Sequence, residues 1–335
     1  MSSGTSIPYH LRPNKAVERG LFIHSLRKID NYFNISDYCY IGFGGPFLED
    51  FKVLHHELKI TDMKCIEIND NVRLRQIFNK PLSCIDFGDN SCSSTEFINK
   101  HEFNKQTIIW LDYVSFKDLY QQLSDITQLL KNLSHGDIFK ITLNANSANL
   151  GSINDISNLM EYRLKQFKKL ITSDYEPHNL TEESMHSREF PNALLKVLKR
   201  AIAKGMASSN DLEVIPISAF VYEDGQKMLT IMGIVIERAQ KIEFIEKSRI
   251  ESWAYYSKDW KEPINITLPA LSARERLLVE QMLPDSNYDD IRSALGFYIG
   301  SAEQPAKEQM ESFISYYRSF PWFGKVVCIY SPGRG

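Results

Sequence analysis

Over the first 150 residues, short apolar runs alternate with amphipathic stretches. Tyr38-Cys39-Tyr40-Ile41, Met63 to Ile68, Leu82 to Phe87, Gln106 to Leu111 and Ile138 to Leu143 each read as a strand. Mostly apolar runs of about four to six residues suit strands buried on both faces. Between them the period changes to helical. Val17, Leu21, Phe22 and Leu26 recur at helical spacing within residues 13–30, with Asn14 as the expected N-cap. Phe47 to Leu58, Val72 to Phe78 and Phe116 to Leu133 predict further helices. This alternation predicts an α/β fold, a parallel sheet with helices on both faces.

Beyond Asn149 the pattern changes. Residues 156–206 predict helices with several basic positions, within an insert of residues 150–210. Glu213 to Tyr222 and Met228 to Glu237 are β-rich runs around Glu223-Asp224-Gly225-Gln226-Lys227, which predicts a hairpin and an antiparallel edge. From residue 245 the chain is less regular. Ser272-Ala273-Arg274-Glu275 is a capping-box pattern ahead of Leu277, Leu278 and Met282, and Ala306 to Ser319 predicts another helix. The expected organisation is a main domain over residues 1–244 and a small, mainly helical C-terminal unit over 245–335.

Composition sets wide bounds. A chain of 335 residues, 43% hydrophobic and 24% charged, allows one large domain or two. The net charge of -3 gives no reason to expect a protein that coats a polyanion, and 12% aromatics argue against long disorder. The cysteines at 39, 65, 84, 92 and 328 are odd in number and form no CxxC pair, so we expect no disulfide framework, no zinc site and a reducing compartment, the cytoplasm. Met1-Ser2-Ser3-Gly4-Thr5 does not read as a secretory signal, and no run of about 18 uncharged apolar residues suggests a membrane span.

The sharpest local feature is Ile41-Gly42-Phe43-Gly44-Gly45-Pro46, between a strand and a helix. Glycines there permit positive φ and let a ligand approach the backbone closely. Glu67 stands at the end of the next strand, 22 positions after Gly45. An acid about 20 residues beyond such a turn accepts hydrogen bonds from ribose hydroxyls. The spacing is not GxGxxG, and Glu49 and Asp50 fall in the first turn of the following helix, where they disfavour a phosphate. That points to a nucleoside cofactor without phosphates.

Tyr38 to Pro46, Cys65-Ile66-Glu67-Ile68-Asn69-Asp70, Asp86-Phe87-Gly88-Asp89 and Trp110-Leu111-Asp112-Tyr113 resemble the successive motifs of class I S-adenosylmethionine-dependent methyltransferases, and most closely a bacterial group of O-methyltransferases. The resemblance covers roughly residues 8–240. It implies a Rossmann-like, mostly parallel seven-stranded sheet whose last strand is antiparallel, with S-adenosylmethionine as cofactor. It also implies that Gly42, Gly44 and Gly45 pass under the methionine part and that Glu67 holds the ribose. Asp89, or else Asp86, would contact the adenine amino group, while Asp112 and Tyr113 would face the sulfonium and the methyl acceptor. The chain departs from the family pattern at Tyr40, where many members carry an acid two positions before the first glycine. Arg12, within Pro8-Tyr9-His10-Leu11-Arg12-Pro13, is a candidate to bind the cofactor carboxylate as a planar fork, and His10 is a candidate base.

Asp112-Tyr113-Val114-Ser115 lacks the two prolines of amino-methylating DNA enzymes, and no Pro-Cys dipeptide supplies a cytosine C5 nucleophile. Oxygen methylation is what this elimination leaves, on a small molecule or a nucleic acid. Asn144 and Asn146 stand where catechol-type enzymes place a metal-binding acid and amide, without the acid. Basic residues from Arg163 to Lys204 form a helical face able to track a phosphate backbone, or a solvated surface. Two other readings stay open: a methyltransferase-like partner subunit of a larger, for example defence-related, assembly or homo-oligomer, and a nicotinamide-dependent oxidoreductase.

Overall fold

The apolar runs assemble into one sheet. The computed structural model describes residues 12–152 and 158–320. The strands are β1 (Cys39–Gly42), β2 (Asp62–Cys65), β3 (Ile85–Asp86), β4 (Thr107–Asp112), β5 (Ile138–Asn144), β6 (Leu212–Glu223), β7 (Lys227–Glu237) and β8 (Ile264–Ile266). Their order is β3-β2-β1-β4-β5-β7-β6-β8. The first five run parallel, and β7 lies antiparallel between β5 and β6. The expected seven strands are therefore eight, because β8 adds to the edge parallel to β6. Its three residues are too few to form a periodic pattern, and only pairing with β6 makes them a strand.

The helices are α1 (Pro13–Ile29), α2 (Glu49–Leu58), α3 (Asp70–Phe78), α4 (Ser94–Lys100), α5 (Leu119–Asn132), α6 (Leu159–Tyr175), α7 (Phe190–Met206), α8 (Lys241–Ser248), α9 (Ala273–Met282), α10 (Tyr288–Leu295) and α11 (Glu303–Tyr316). Strand alternation divides the core in two. Tyr38, Tyr40, Ile108, Trp110, Met232 and Phe220 pack with Val17, Leu21, Phe22 and Leu26 of α1, and this core continues into Met310 and Phe313 of the C-terminal helices. The neighbouring positions Cys39, Ile41, Ile109, Leu111 and Phe139 pack on the other face with α5 and α7. Helix α7 lies so close to α5 that a Cβ on Gly205 would sit 2.6 Å from Leu130 Cβ.

Three details of the helices differ from expectation: a cap, a start and an additional helix. Helix α1 starts at Pro13, with Arg12 rather than Asn14 at the N-cap position. Proline suits a first helical position, and the acceptor comes from the hairpin instead. Asp224 accepts from Lys15 N at 2.8 Å and from Asn14 Nδ2 at 3.0 Å. Helix α2 starts at Glu49 because buried Leu48 adopts φ 54. The short helix α4, with its Ser93–Glu96 capping box, was not foreseen.

Candidate cofactor and acceptor site

Strand β1 pairs with β2 on one side and β4 on the other, so the strand order reverses direction at β1/β4. In open α/β sheets, ligands bind outside the carboxyl ends of the strands at such a point. Gly42 is in register with Cys65 and with Trp110. The turn after β1, Glu67 after β2 and Asp112 at the end of β4 therefore share one edge.

Gly44 and Gly45 have φ 67 and 52. A Cβ on Gly44 would lie 2.7 Å from Leu48 Cδ2 and from Phe51 Cε2, and one on Gly42 would lie 2.6 Å from the Tyr40 hydroxyl oxygen. Tyr40, standing where the family acid is expected, is thus a buried floor under Gly42. A side chain at Gly44 acts on folding before it acts on binding. Gly44→Ala should cost about 2–4 kcal/mol from strain and overpacking. A melting temperature equal to that of the parent protein would contradict this account of the turn.

Glu67 is half-buried and its Oε1 accepts from Asn69 N at 2.8 Å. Burial raises its carboxyl pKa, opposed by the N–H groups of Asn69 and Ile68. Asp86 ends β3 in solvent, accepting from Gly88 N at 2.8 Å. Asp89 lies exposed in the loop beyond. Arg73 of α3 holds that loop by donating to Phe87 O and Gly88 O.

Asp112 and Tyr113 are consecutive and face opposite sides of the sheet. The Tyr113 hydroxyl donates to Asp125 Oδ2 at 3.0 Å on α5, and its ring meets Phe43 of the glycine turn edge-on at 5.5 Å. Asp125 also accepts from Ser94, Thr95 and Gln121. Tyr113 therefore braces the turn with its ring, and its hydroxyl is committed to α5. Burial and Asp125 raise its pKa.

Asp112 sits under α1. Its Oδ2 pairs with Lys15 Nζ at 2.5 Å, while Oδ1 is buried with no hydrogen-bond partner among the described residues. Around it lies a set of buried charges that the sequence reading missed. Lys140 of β5 pairs with Glu18 of α1 at 2.8 Å and stands 3.3 Å from the Trp110 ring centroid. Arg19 of α1 pairs with Asp50 of α2. Burial pulls Lys140 down to about 8, against the pull of Glu18. Tyr222 of β6 is buried near them, with its hydroxyl unpartnered among the described residues. The available signal was Lys140, a charge in the middle of an apolar strand.

The other candidates are placed as follows. Arg12 is half-buried immediately before α1, whose start is tied to the hairpin at this same edge. His10 lies outside the described residues. His135 precedes β5, at its amino end and away from the carboxyl edge, and its Nδ1 accepts from Glu237 N at 3.0 Å. Asn144 and Asn146 hold their own loop, through Asn146 N to Asn144 Oδ1 at 3.0 Å and Ala148 N to Asn146 Oδ1 at 3.0 Å. Among the basic positions, Arg163 is buried on Gly151 O, Lys168 pairs with Glu176 and Lys204 with Asp174. Among the described residues no group of three or more His, Cys, Asp or Glu is arranged to hold a metal, and no helix is long and apolar enough to cross a membrane.

Strand order, glycine turn and carboxyl-edge acids together define a class I methyltransferase. The chain belongs to the family described as "Putative O-methyltransferase", whose model matches residues 7–328. Similar folds include Trm1 from Pyrococcus horikoshii, solved with S-adenosyl-L-methionine, at 15% identity over 70% of this chain and 58% of that chain, TM-score 0.45. They also include the O-methyltransferase TomG from Streptomyces achromogenes, solved with the same cofactor, at 10% identity over 69% and 92%, TM-score 0.36. The N-methyltransferase NodS from Bradyrhizobium japonicum WM9 shares 13% identity over 66% and 97%, TM-score 0.37. The match thus spans less than two thirds of the Pyrococcus protein's length. No curated protein matches the chain.

Proposed function

We propose that the protein transfers a methyl group from S-adenosylmethionine to an oxygen acceptor beside Asp112. The observation that carries this reading is the Asp112 carboxylate, with one oxygen on Lys15 and the other buried and unpartnered at the carboxyl edge next to the glycine turn. A buried polar atom without a partner is costly and calls for one supplied from outside. The residues fit the cofactor. Gly44 and Gly45 leave the turn without side chains, Glu67 accepts from the ribose hydroxyls, Asp89 or Asp86 meets the adenine amino group, and Arg12 takes the carboxylate.

The cofactor supplies an electrophilic methyl group on a sulfonium. With the methyl group passing from sulfur to the acceptor oxygen and the thioether as leaving group, Asp112 Oδ1 would accept the hydrogen bond of the acceptor hydroxyl and take its proton. Lys15 fixes the carboxylate so that this oxygen points at the acceptor. A small-molecule acceptor is favoured over a nucleic acid because several basic positions of α6 and α7 are already paired with acids or buried. A cytoplasmic setting fits the free thiols of Cys39, Cys65, Cys84 and Cys92. The exposed Ile68, Leu74, Ile77 and Phe78 support a protein contact as a second role.

The test is transfer of label from methyl-labelled S-adenosylmethionine into cell-extract metabolites. Label in an O-methyl product supports the reading, and label only on nitrogen or carbon overturns it. Glu67→Gln should weaken cofactor binding by about 1–3 kcal/mol, the effect of losing a charged hydrogen-bond acceptor. Unchanged affinity in calorimetry would remove Glu67 from the ribose site.

A further inference from the structure

Helix α3 docks in an unusual way. Gln76 is its one buried residue and is fully enclosed, while Leu74, Ile77 and Phe78 are exposed. A helix usually packs through an apolar stripe; this one packs through an amide. Gln76 Nε2 donates to Phe43 O at 3.0 Å and to Gly45 O at 3.1 Å. Just past the helix, Asn79 Nδ2 donates to Pro46 O at 2.8 Å. Cys65 Sγ adds a contact to Phe43 O at 3.4 Å, and Leu48 N reaches Gly44 O at 3.1 Å. Every carbonyl from Phe43 to Pro46 is therefore taken up on the protein side of the turn.

A buried amide is costly unless hydrogen-bonded, and here both bonds go to the segment that meets the ligand. We infer that Gln76, with Asn79, is a positioning residue for the cofactor. The two amides hold the turn's carbonyls on the protein side, with the Gly45 N–H also spent on Phe43 O, and so fix the path of the side-chain-free backbone that meets the cofactor's methionine part. Gly44 and Gly45, both at positive φ, allow that arrangement, and the α3 amides fix it. The inference rests on the reading that S-adenosylmethionine lies at this turn.

The experiment uses the full chain, S-adenosylmethionine and three variants. Gln76→Met keeps the side-chain length without its donors, and Asn79→Ala removes the second clamp at a half-buried site. Gln76→Met should raise the Kd about tenfold or more, and Asn79→Ala about threefold, as expected for lost hydrogen bonds. The rise in melting temperature on saturation with cofactor should shrink by more than the ligand-free melting temperature falls, which a purely structural role would not produce. Gln76→Glu should regain affinity as the pH is lowered and its carboxyl becomes a donor again, while Gln76→Met stays flat. A parent protein that binds, with Asn79→Ala and any folded Gln76 variant binding equally well, overturns the inference. A parent protein that does not bind overturns the cofactor reading itself. Should Gln76→Met fail to fold, Asn79→Ala and Gln76→Glu decide.

Discussion

Asp112→Asn should lower turnover by on the order of 10²–10⁴, the range of a general base, while S-adenosylmethionine still binds. The amide has the carboxylate's shape, so it can keep an oxygen on Lys15 Nζ, where Asp112 Oδ2 now sits at 2.5 Å. What changes is the other atom. The unpartnered Oδ1 becomes an NH2 group, which offers a hydrogen where the acceptor's proton must arrive. Turnover in the labelled-methyl assay and binding by calorimetry separate the two effects. Turnover close to that of the parent protein would remove Asp112 from the chemistry. Loss of binding would make it a cofactor ligand instead.

The largest effect on stability is expected from Lys140→Met. Lys140 and Glu18 are both almost completely enclosed, at 1% and 2% side-chain exposure. The Lys140 ammonium also stands over Trp110 and, at 4.3 Å from the ring centroid, over Phe22. Methionine would fill the space but leave the Glu18 carboxylate buried without its cation. Breaking a buried pair in this way costs about 3–5 kcal/mol. Domains are stable by only about 5–15 kcal/mol, so the variant should sit near the limit of folding. Adding Glu18→Gln should recover most of the loss, because two neutral groups replace two opposed charges. Urea unfolding of the single and double variants measures both. A double variant no more stable than Lys140→Met would show that Glu18 does not depend on that lysine.

These buried charges link α1 to the edge where Asp112 sits. Three residues of α1, Lys15, Glu18 and Arg19, reach Asp112, Lys140 and Asp50, one on each of β4, β5 and α2. Asp224 of the β6–β7 hairpin fixes the start of the same helix. The orientation of Asp112 is therefore set by the docking of α1 onto the sheet.

The sequence exposed those parts of the site that are local. A strand, a glycine-rich turn, a helix and an acid after the next strand are contiguous, and their spacing carries their geometry. The charge cluster under α1 was not legible, since Lys15 and Asp112 are 97 positions apart and Glu18 and Lys140 are 122 apart. No periodicity connects such pairs, although a lysine inside Ile138 to Leu143 could have been flagged as needing an acid. Tyr113 shows a rule left unused. Adjacent strand residues point to opposite faces, so Asp112 and Tyr113 could not both face the acceptor with their polar ends. Strand β8 and helix α4 were lost through brevity, and the N-cap of α1 was misassigned to Asn14 because the acceptor comes from a hairpin some 210 positions away.

Every role proposed for the carboxyl edge requires S-adenosylmethionine to bind across the turn after β1. Calorimetric titration of the full chain with S-adenosylhomocysteine tests it most directly, because that product occupies the same cradle without reacting. Saturable binding of one molecule per chain is expected, displaced by S-adenosylmethionine and not by NAD. Absence of saturable binding, or tighter binding of NAD, would contradict it.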